Sequence, residues 1–426
     1  MTSNPAKKWL TIIGIGDDGF EGLSPKVQQI CRDADILLAA ERHLKDMPKL
    51  KAETHIWGSP LHAGIKKILG WRDAGRNGCN VVILATGDPM HFGIGATMAK
   101  RISIDEMHII PSPSAFSLAA ARLGWGLRQV KCISVHGRSL NLIHKAVEHN
   151  NRIIALTTNS QSIDDIADLL ADRGFGNSKL TILEHMGGKD ERILNATAND
   201  WEVGAAADFN SIAIECIADE FAPIIPNIAG LDDSHFVHDG QLTKSDIRAA
   251  TLNKLLPTPN SIMWDLGAGS GSIGIEYMRI AQGSICHAVE KSAKRILNIK
   301  INANNLGVPN LKIHEGNIEA LIDKLPQPDA VFIGGGLTPD LFNKIYDILP
   351  IGGRLVVNVV TLEGAANLNL IHQTFSDNFS QLRQLSYIQL SSANLVPIGS
   401  LHAFKNNLTV TQLSLIKTKL EENANE

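Results

Sequence analysis

The sequence predicts an α/β protein in which two α/β lobes precede a domain built on a seven-stranded, doubly wound sheet. Short apolar runs alternate with helical patterns almost from end to end, which is the pattern of βαβ units. Glycine loops follow two of these runs, at residues 14–19 and 267–274, as happens where a strand leads into a helix at a ligand site. A chain of 426 residues is long enough for two or three domains.

The composition indicates a globular protein and excludes several classes. With 44% hydrophobic and 20% charged residues, the chain can bury a large core. A net charge of −4 without any run of Lys and Arg argues against binding to nucleic acid. The cysteines form no C-x-x-C pair, and the histidines form no convincing metal-binding set, so we expect neither disulfides nor a metal site. The cysteines are Cys31, Cys79, Cys132, Cys216 and Cys286.

The N-terminal segment "MTSNPAKKWLTIIGIG" contains no apolar core of a signal peptide. No later stretch approaches the ~20 apolar residues that a membrane span requires. The sequence therefore predicts a cytoplasmic protein that does not contact a membrane.

The first half of the chain is predicted to form two lobes, at about 1–125 and 126–220, with mostly parallel sheets. The predicted strands are "LTIIGIG", "DILLA", "NVVILATG", "MHIIP", "KCISVHG", "RIIALTT", "KLTILEHM" and "NSIAIECIA". The predicted helices are "SPKVQQICRDA", "IGATMAKRI", "SAFSLAAARLG", "LNLIHKAVEHN" and "SIDDIADLLADRG". Residues 221–241 contain prolines and acids without a clear period, which predicts a linker.

A third domain is predicted over 242–426, where the helix "TKSDIRAATLNKLL" introduces a new βαβ series. Its seven predicted strands are "SIMWDLG", "SICHAVE", "LKIHEG", "DAVFIGG", "RLVVNVV", "LSYIQL" and "NNLTVTQLSLI". Helices separate the first five strands and the last two resemble an antiparallel pair, which predicts a Rossmann-like doubly wound sheet.

The segment "MWDLGAGSGSIGIE" matches two cofactor fingerprints. Gly269, Gly271 and Gly274 form the dinucleotide pattern G-x-G-x-x-G. Asp265, Gly267, Gly269 and Gly271 form the pattern D-x-G-x-G-x-G, found in enzymes that use S-adenosylmethionine (SAM). In either case the glycines let backbone amides approach a ligand at the start of a helix.

Three residues favour SAM over a dinucleotide at this loop. Asp265 precedes the first glycine, where its carboxylate would repel a pyrophosphate. Glu290 ends the second strand, about where an acid binds ribose hydroxyls, and Asn317 follows the third strand, where an adenine amino group is contacted. A nicotinamide cofactor, and a turn without a ligand, remain as alternatives.

Loops in the first half are also shaped for a ligand. In "GIGDDG" the acids Asp17, Asp18 and Glu21 make a dinucleotide reading of Gly14, Gly16 and Gly19 poor. "ILATGDPMHFGIG" and "IIPSPSAFSLAAARLG" each place a loop at the carboxyl end of a strand. Ordinary turns and helix caps are an equally good interpretation of these two segments.

Taken in order, these segments resemble a known family. "TIIGIGDDG", "VVILATGDPMHFGIG" and "IIPSPSAFSLAAARLGW" resemble the motifs of the tetrapyrrole methylases, in the branch that methylates precorrin-6 derivatives in cobalamin synthesis. "FVHDGQLTKSDIRAATLNKLL", "MWDLGAGSGSIGIE" and "GGRLVVNVVTLE" are similar to a decarboxylating precorrin methyltransferase. The resemblance covers nearly the whole chain and implies a two-lobed tetrapyrrole-methylase-like domain over 1–220, followed by a seven-stranded SAM methyltransferase domain.

The resemblance implies two SAM sites. In the first domain the cofactor would lie between the lobes, against Gly87, Asp88, Pro89, Ser114 and Ala115, with Met186 as a further contact. One departure is that many relatives carry G-x-G-P-G where this chain has Asp17 and Asp18 before Gly19. These acids would change the grip of the loop on a polycarboxylate.

The resemblance also implies the reaction: methylation of meso carbons 5 and 15 of a polycarboxylate tetrapyrrole, with decarboxylation of the acetate on ring C. Lys244 and Arg248 are candidates for binding the carboxylates, although they are equally well solvated charges on an amphipathic helix. Asn358, with Thr361 and Glu363, follows the fifth strand and would line the substrate pocket, as would Gly334–Gly336 after the fourth. We expect a homo-oligomer. The alternative is a SAM-dependent methyltransferase of RNA or protein, which the lack of basic runs and of an N-P-P-Y tetrad disfavours.

Overall fold

The computed structural model describes residues 8–45, 47–58, 61–73, 78–376 and 385–418. The chain divides into two compact units. Unit 1 comprises the residues up to Leu140 together with Ala146–Pro223, and unit 2 comprises Asn141–Lys145 together with the residues from Ile224 onward.

The first sheet of unit 1 has five parallel strands in the order β3-β2-β4-β1-β5. The strands are Leu10–Ile15 (β1), Ile36–Ala39 (β2), Glu53–Ile56 (β3), Val81–Thr86 (β4) and Met107–Ile110 (β5). The helices are Pro25–Arg32 (α1), Glu41–Lys45 (α2), Leu61–Asp73 (α3), Ile94–Met98 (α4) and Ala115–Leu123 (α5). Successive residues of β1 pack into different clusters, Ile12 with Leu38 and Ile13 with Leu37, so both faces of the sheet are covered.

The second sheet of unit 1 also has five strands, in the order β6-β7-β10-β8-β9. They are Val130–Ser134 (β6), Arg152–Leu156 (β7), Lys179–Glu184 (β8), Arg192–Thr197 (β9) and Asn210–Glu215 (β10), with the helix Gln161–Asp172 (α6) after β7. Only β6 and β7 pair in parallel. The prediction of a mostly parallel sheet is wrong here: no helix separates β8, β9 and β10, and both β9 and β10 pair antiparallel with β8.

Three elements within residues 1–220 differ from the prediction. The helix predicted from "LNLIHKAVEHN" is a 3-10 helix, Leu140–Lys145. The strands β3 and β9 were not predicted, since both lie at sheet edges and are largely exposed. Short 3-10 helices also occur at Ile104–Glu106 and Leu127–Gln129.

Unit 2 contains the predicted seven-stranded sheet, in the order β13-β12-β11-β14-β15-β19-β16. Its strands are Ile262–Leu266 (β11), Ile285–Glu290 (β12), Lys312–Glu315 (β13), Ala330–Ile333 (β14), Arg354–Val359 (β15), Ser386–Leu390 (β16) and Val410–Ile416 (β19). The first five are parallel, and β19 pairs antiparallel with β15 and β16. This confirms the doubly wound sheet and its antiparallel closing pair. Ala393–Ile398 (β17) and Leu401–Asn406 (β18) form a separate two-stranded ribbon that was not predicted.

Helices cover both faces of this sheet. They are Ser245–Leu255 (α7), Ser272–Ile280 (α8), Ala293–Asn305 (α9), Ile318–Leu321 (α10), Pro339–Ile348 (α11) and Leu362–Ser376 (α12), with 3-10 helices at Asp233–His235 and Ile322–Lys324. The segment predicted as a linker is packed rather than extended, because Leu231 and Phe236 are 3% and 4% exposed within the core of unit 2.

Candidate cofactor and substrate sites

The glycine loop of unit 2 lies where β11 meets α8, beside the point at which strand order reverses between β11 and β14. Gly267, Gly269 and Gly271 have φ angles of +72°, +59° and +78°. Side chains are strained in this left-handed region, so the tight turn requires glycine. A Cβ on Gly269 would meet nothing within 4 Å, which leaves its backbone open to a ligand.

The buried side chain of Asp265 stabilises this loop. Its side chain is 1% exposed, and its Oδ2 accepts a hydrogen bond of 3.0 Å from the amide of Gly274. Its buried Oδ1 has no hydrogen-bond partner in the part of the chain that the structure describes. Burial raises the pKa of Asp265 to about 7, the Gly274 amide opposes the rise, and the Glu290 carboxylate adds to it. Asp265 thus orders the start of α8 rather than facing solvent.

Glu290 is the second carboxylate of the loop and is 5% exposed. Its Oε2 accepts from the amide of Gly269 at 2.9 Å, and its Oε1 accepts from the amides of Lys291 and Ser292 at 3.0 Å. One carboxylate therefore ties the glycine loop to the carboxyl end of β12. Asn317 differs, because it is exposed at the start of α10 and its side chain makes no capping bond.

The loop after β14 closes against the glycine loop. A Cβ on Gly267 would lie 3.0 Å from the amide nitrogen of Gly335, and one on Gly334 would lie 3.1 Å from the carbonyl oxygen of Gly267. Gly334, Gly335 and Gly336 are all exposed. The open backbone, the carboxylate of Glu290 and the exposed amide of Asn317 have the chemistry expected at a nucleoside cofactor such as SAM, and their roles remain predictions.

In unit 1 the loops after β1, β4 and β5 converge. A Cβ on Gly14 would lie 2.3 Å from the carbonyl oxygen of Gly87 and 2.6 Å from the amide nitrogen of Ser112. Gly87 has φ +64°, and its Cβ position lies 3.5 Å from the Pro113 carbonyl oxygen. Glycines thus allow the "GDP" loop and the "PSPSA" turn to meet, as the sequence led us to expect of a ligand-binding edge.

Side chains fix both loops. The Oδ1 of Asp88 accepts from the amide of Met90 at 2.8 Å, which shapes the turn through buried Pro89. Ser114 is 5% exposed and caps α5 by accepting from the amide of Ser117 at 3.2 Å, so half-buried Ala115 begins that helix. The predicted cofactor residues of these loops remain predictions, with their backbones adjacent.

Met186 stays a prediction. Its side chain is 7% exposed and packs with Phe116, Leu183 and Ala213 in the core between α5 and the second sheet. The predicted cofactor residue Ala115 packs against the same cluster.

The structure contradicts the prediction that Arg248 binds a substrate carboxylate. It is 0% exposed, and its Nε and Nη1 donate to Glu276 and Asp233, each at 2.8 Å. Its remaining donors reach the carbonyl oxygens of Thr243 and Leu231. The guanidinium therefore anchors the segment before α7 and is not accessible to a substrate carboxylate.

Lys244 and Asn358 retain accessible atoms. The side chain of Lys244 is 40% exposed and pairs with Asp233 at 3.2 Å. Asn358 is half-buried at the end of β15, donates to the Thr251 hydroxyl at 2.9 Å and accepts from Gln412 at 2.9 Å. Buried Thr251 and Gln412 thus fix the orientation of the Asn358 amide, and sequence alone did not connect these three residues.

The structure adds a polar cluster that the sequence analysis missed. At the carboxyl edge of the first sheet, Arg42 and His43 both contact the hydroxyl of Thr86. Asp17 pairs with His185 from the second sheet at 3.1 Å, and Asp18 folds over Gly22. The available signal was the pair "RH", separated by two residues from the end of the strand "DILLA", at the same sheet edge as the glycine loops.

Within the residues that the structure describes, no group of three or more His, Cys, Asp or Glu side chains is arranged to hold a metal ion. No helix among those residues is long and apolar enough to cross a membrane. The five cysteines are free, three of them buried and two half-buried.

Comparisons with known proteins match both halves of the chain. A profile of the tetrapyrrole (corrin/porphyrin) methylases matches residues 9–201, and a profile of the precorrin methyltransferase domain matches 234–417. A precorrin-6Y C(5,15)-methyltransferase (decarboxylating) from Sinorhizobium sp. is 41% identical over 97% of this chain and 98% of its own. The protein of that name from Mycobacterium tuberculosis is 32% identical over 96% of this chain and 100% of its own. A cobalt-precorrin-7 C(5)-methyltransferase from Salmonella typhimurium is 30% identical over 46% of this chain and 96% of its own.

Proposed function

The chain belongs to the family of precorrin-6Y C(5,15)-methyltransferases (decarboxylating), and on that premise we propose that it methylates a precorrin at carbons 5 and 15 and decarboxylates the ring C acetate. The methyl donor is SAM, and the reaction belongs to cobalamin biosynthesis. The observation that carries the proposal is the 41% identity over 97% of the chain, which spans both units and both glycine-lined edges.

The two methylations are divided between the units. The relative named as a C(5)-methyltransferase aligns over 201 residues, a length similar to that of the tetrapyrrole methylase match at 9–201, and its name includes no decarboxylation. Unit 1 therefore methylates carbon 5. Unit 2 methylates carbon 15 and releases carbon dioxide.

In unit 2 the chain aligns the reactants rather than supplying a nucleophile. Bound SAM supplies an electrophilic methyl group, and a reduced tetrapyrrole carbon is enamine-like, so alignment and exclusion of water are the main requirements. The turn of Gly267–Gly271, whose Gly269 amide is tied to the Glu290 carboxylate, would hold the cofactor at the switch point. The exposed glycines after β14 let a flat macrocycle approach the backbone.

Decarboxylation requires that the acetate be oriented while it is ionised and poorly solvated. The conjugated ring accepts the electron pair that remains, so no further cofactor is needed. The ammonium group of Lys244 and the fixed amide of Asn358 orient the acetate. The assignment of Lys244 rests on its exposure, and that of Asn358 on its position near the carboxyl end of β15.

The test is the product mass after anaerobic incubation of the full chain with SAM and a precorrin-6 substrate. The proposal expects a gain of two methyl groups with loss of one carbon dioxide. Gain of one methyl without loss of carbon dioxide would remove the assignment to unit 2. No change of mass, with SAM bound, would refute the proposed substrate.

A further inference from the structure

Arg42 lies at the centre of the polar cluster in unit 1. It belongs to α2, directly after β2, and its side chain reaches the hydroxyl of Thr86 at the end of β4. Thr86 immediately precedes the "GDP" loop of Gly87, Asp88 and Pro89. Arg42 is therefore adjacent to the edge where the cofactor of unit 1 is expected.

Three neighbours fix the plane of the guanidinium. Its Nη2 donates to Thr86, its Nε points to His43 Nε2 at 3.5 Å, and its central carbon lies 4.0 Å from the ring centroid of Phe209. Phe209 precedes β10, so it approaches from the second sheet. A guanidinium has five N–H donors, and Nη1 is left for a further acceptor.

His43 orients the arginine without adding charge. It is 6% exposed, and its Nε2 lies 2.8 Å from the Thr86 hydroxyl. Burial and the charge of Arg42 together lower the pKa of His43 to about 4, and the charge of Asp17 opposes this shift. The ring is neutral near pH 7, so the positive charge of the cluster belongs to Arg42.

No carboxylate of the described ranges lies within 4 Å of the Arg42 guanidinium. Two other arginines of unit 1 are paired: Arg122 binds Glu191 at 2.6 and 2.7 Å, and Arg192 binds Glu184 at 2.6 and 3.0 Å. Asp17, the acid of the nearby glycine loop, pairs with His185 instead. Burial lowers the pKa of Arg42, and the charge of Asp17 acts on Arg42 in the opposite direction and raises that pKa less strongly. Arg42 thus carries an oriented and exposed charge that interacts with Asp17 but is not paired with a carboxylate of the described residues.

Local strain indicates that this edge is shaped for binding. His185 has φ +48° and Phe92 has φ +59°, in a region that such side chains rarely adopt. Both residues lie at the same edge of the sheet. His185 is paired with Asp17, which follows β1, and Phe92 belongs to the loop after β4. Strained residues of this kind cluster at binding sites, where the surrounding structure holds them.

From these contacts we infer that Arg42 binds a side-chain carboxylate of the tetrapyrrole in unit 1, with Thr86 and His43 as positioning residues. The inference rests on the proposed function and refines it to one subsite. A charge-assisted bond of a planar guanidinium to a carboxylate fixes the orientation of the macrocycle toward the methyl donor. Phe209 supports the arginine on the face away from the substrate.

The experiment uses the full chain with the substitution Arg42→Met, which keeps apolar contact with Phe209 and removes the charge. The product mass contains an internal control, because unit 2 adds one methyl and removes carbon dioxide while unit 1 adds the other methyl. We expect KM for the carbon 5 methylation to rise about tenfold to hundredfold, with SAM affinity and the decarboxylating step unchanged. Arg42→Lys should restore part of the loss, and Arg128→Gln, at an exposed position of unit 1, should behave as wild type.

Two outcomes would overturn the inference. One is an unchanged KM for the carbon 5 methylation in Arg42→Met. The other is an equal loss in Phe209→Leu and Arg42→Met with parallel loss of melting temperature, which would make Arg42 a brace between the sheets. If wild type yields no product, the proposed function fails separately, and binding of uroporphyrin III decides: equal affinity for wild type and Arg42→Met excludes the carboxylate subsite.

Discussion

Each unit contains an arginine held by neighbouring polar groups, but the two arginines differ in what encloses them. Arg248 in unit 2 has no exposed surface and is paired with two carboxylates. Arg42 in unit 1 is exposed, held by a hydroxyl and a neutral ring, and faces a sheet edge. An arginine that the chain neutralises itself stabilises the fold, whereas one that is oriented but not neutralised is available for an anion.

The largest difference is expected in stability. Arg248→Met leaves the carboxylate of Glu276, which has no exposed surface, without its cation, and should lower the free energy of unfolding by about 3–5 kcal/mol. Arg42→Met should change it by less than about 1 kcal/mol, since the site is exposed. Urea unfolding of both variants measures this. Similar losses would erase the distinction between the two arginines. The double variant Arg248→Met/Glu276→Leu should recover part of the loss, because no buried charge remains.

The buried carboxylate of Asp265 in unit 2 predicts that the stability of the protein depends on pH. Because burial raises the pKa of Asp265 from 3.8 to about 7, the folded state binds this proton more tightly than the unfolded state. The resulting stability is present below about pH 4 and lost as the pH rises to about 7, by up to about 4 kcal/mol. Asp265→Asn should therefore gain stability relative to wild type between pH 5 and 8 in urea unfolding. A constant difference across that range would show that Asp265 titrates normally.

Glycine packing also separates the two loops. A Cβ on Gly274 would lie 2.4 Å from the Cys286 sulfur, so Gly274→Ala should cost about 1–3 kcal/mol through overpacking. In the double variant with Cys286→Ala most of this loss should disappear. At Gly87 the nearest atoms are 3.5 Å from a Cβ, and only the φ of +64° opposes alanine, at about 1–2 kcal/mol. Thermal unfolding of the three variants measures the comparison, and a Gly274→Ala protein as stable as wild type would contradict it.

The smallest expected effect concerns Asn358. Asn358→Ala should lower the rate of the decarboxylating step by about tenfold while SAM affinity stays the same, since the proposed role of the amide is to orient the substrate. Thr251→Ser keeps the hydroxyl that receives the Asn358 amide and serves as the control. Unchanged turnover of Asn358→Ala would remove this residue from the substrate pocket.

The fold was predictable where strands are buried on both faces. Val81–Thr86 and Ala330–Ile333 are continuous apolar runs, and both were identified from sequence. The edge strands Glu53–Ile56 and Arg192–Thr197 are largely exposed and carry no such run, so they were missed. The ribbon of β17 and β18 was missed for the same reason.

The sequence by itself determined the glycine loops, the doubly wound sheet of unit 2 and the family, because these depend on local spacing along one strand, one turn and one helix. Tertiary structure alone decided which charges are available. Arg248 is enclosed by Asp233 and Glu276, and Arg42 is oriented by Thr86 and Phe209, partners that lie 15 to 167 positions away in the chain. The free energy of a charged side chain depends on which partners surround it and how much water is excluded, and both are set only when distant segments pack together.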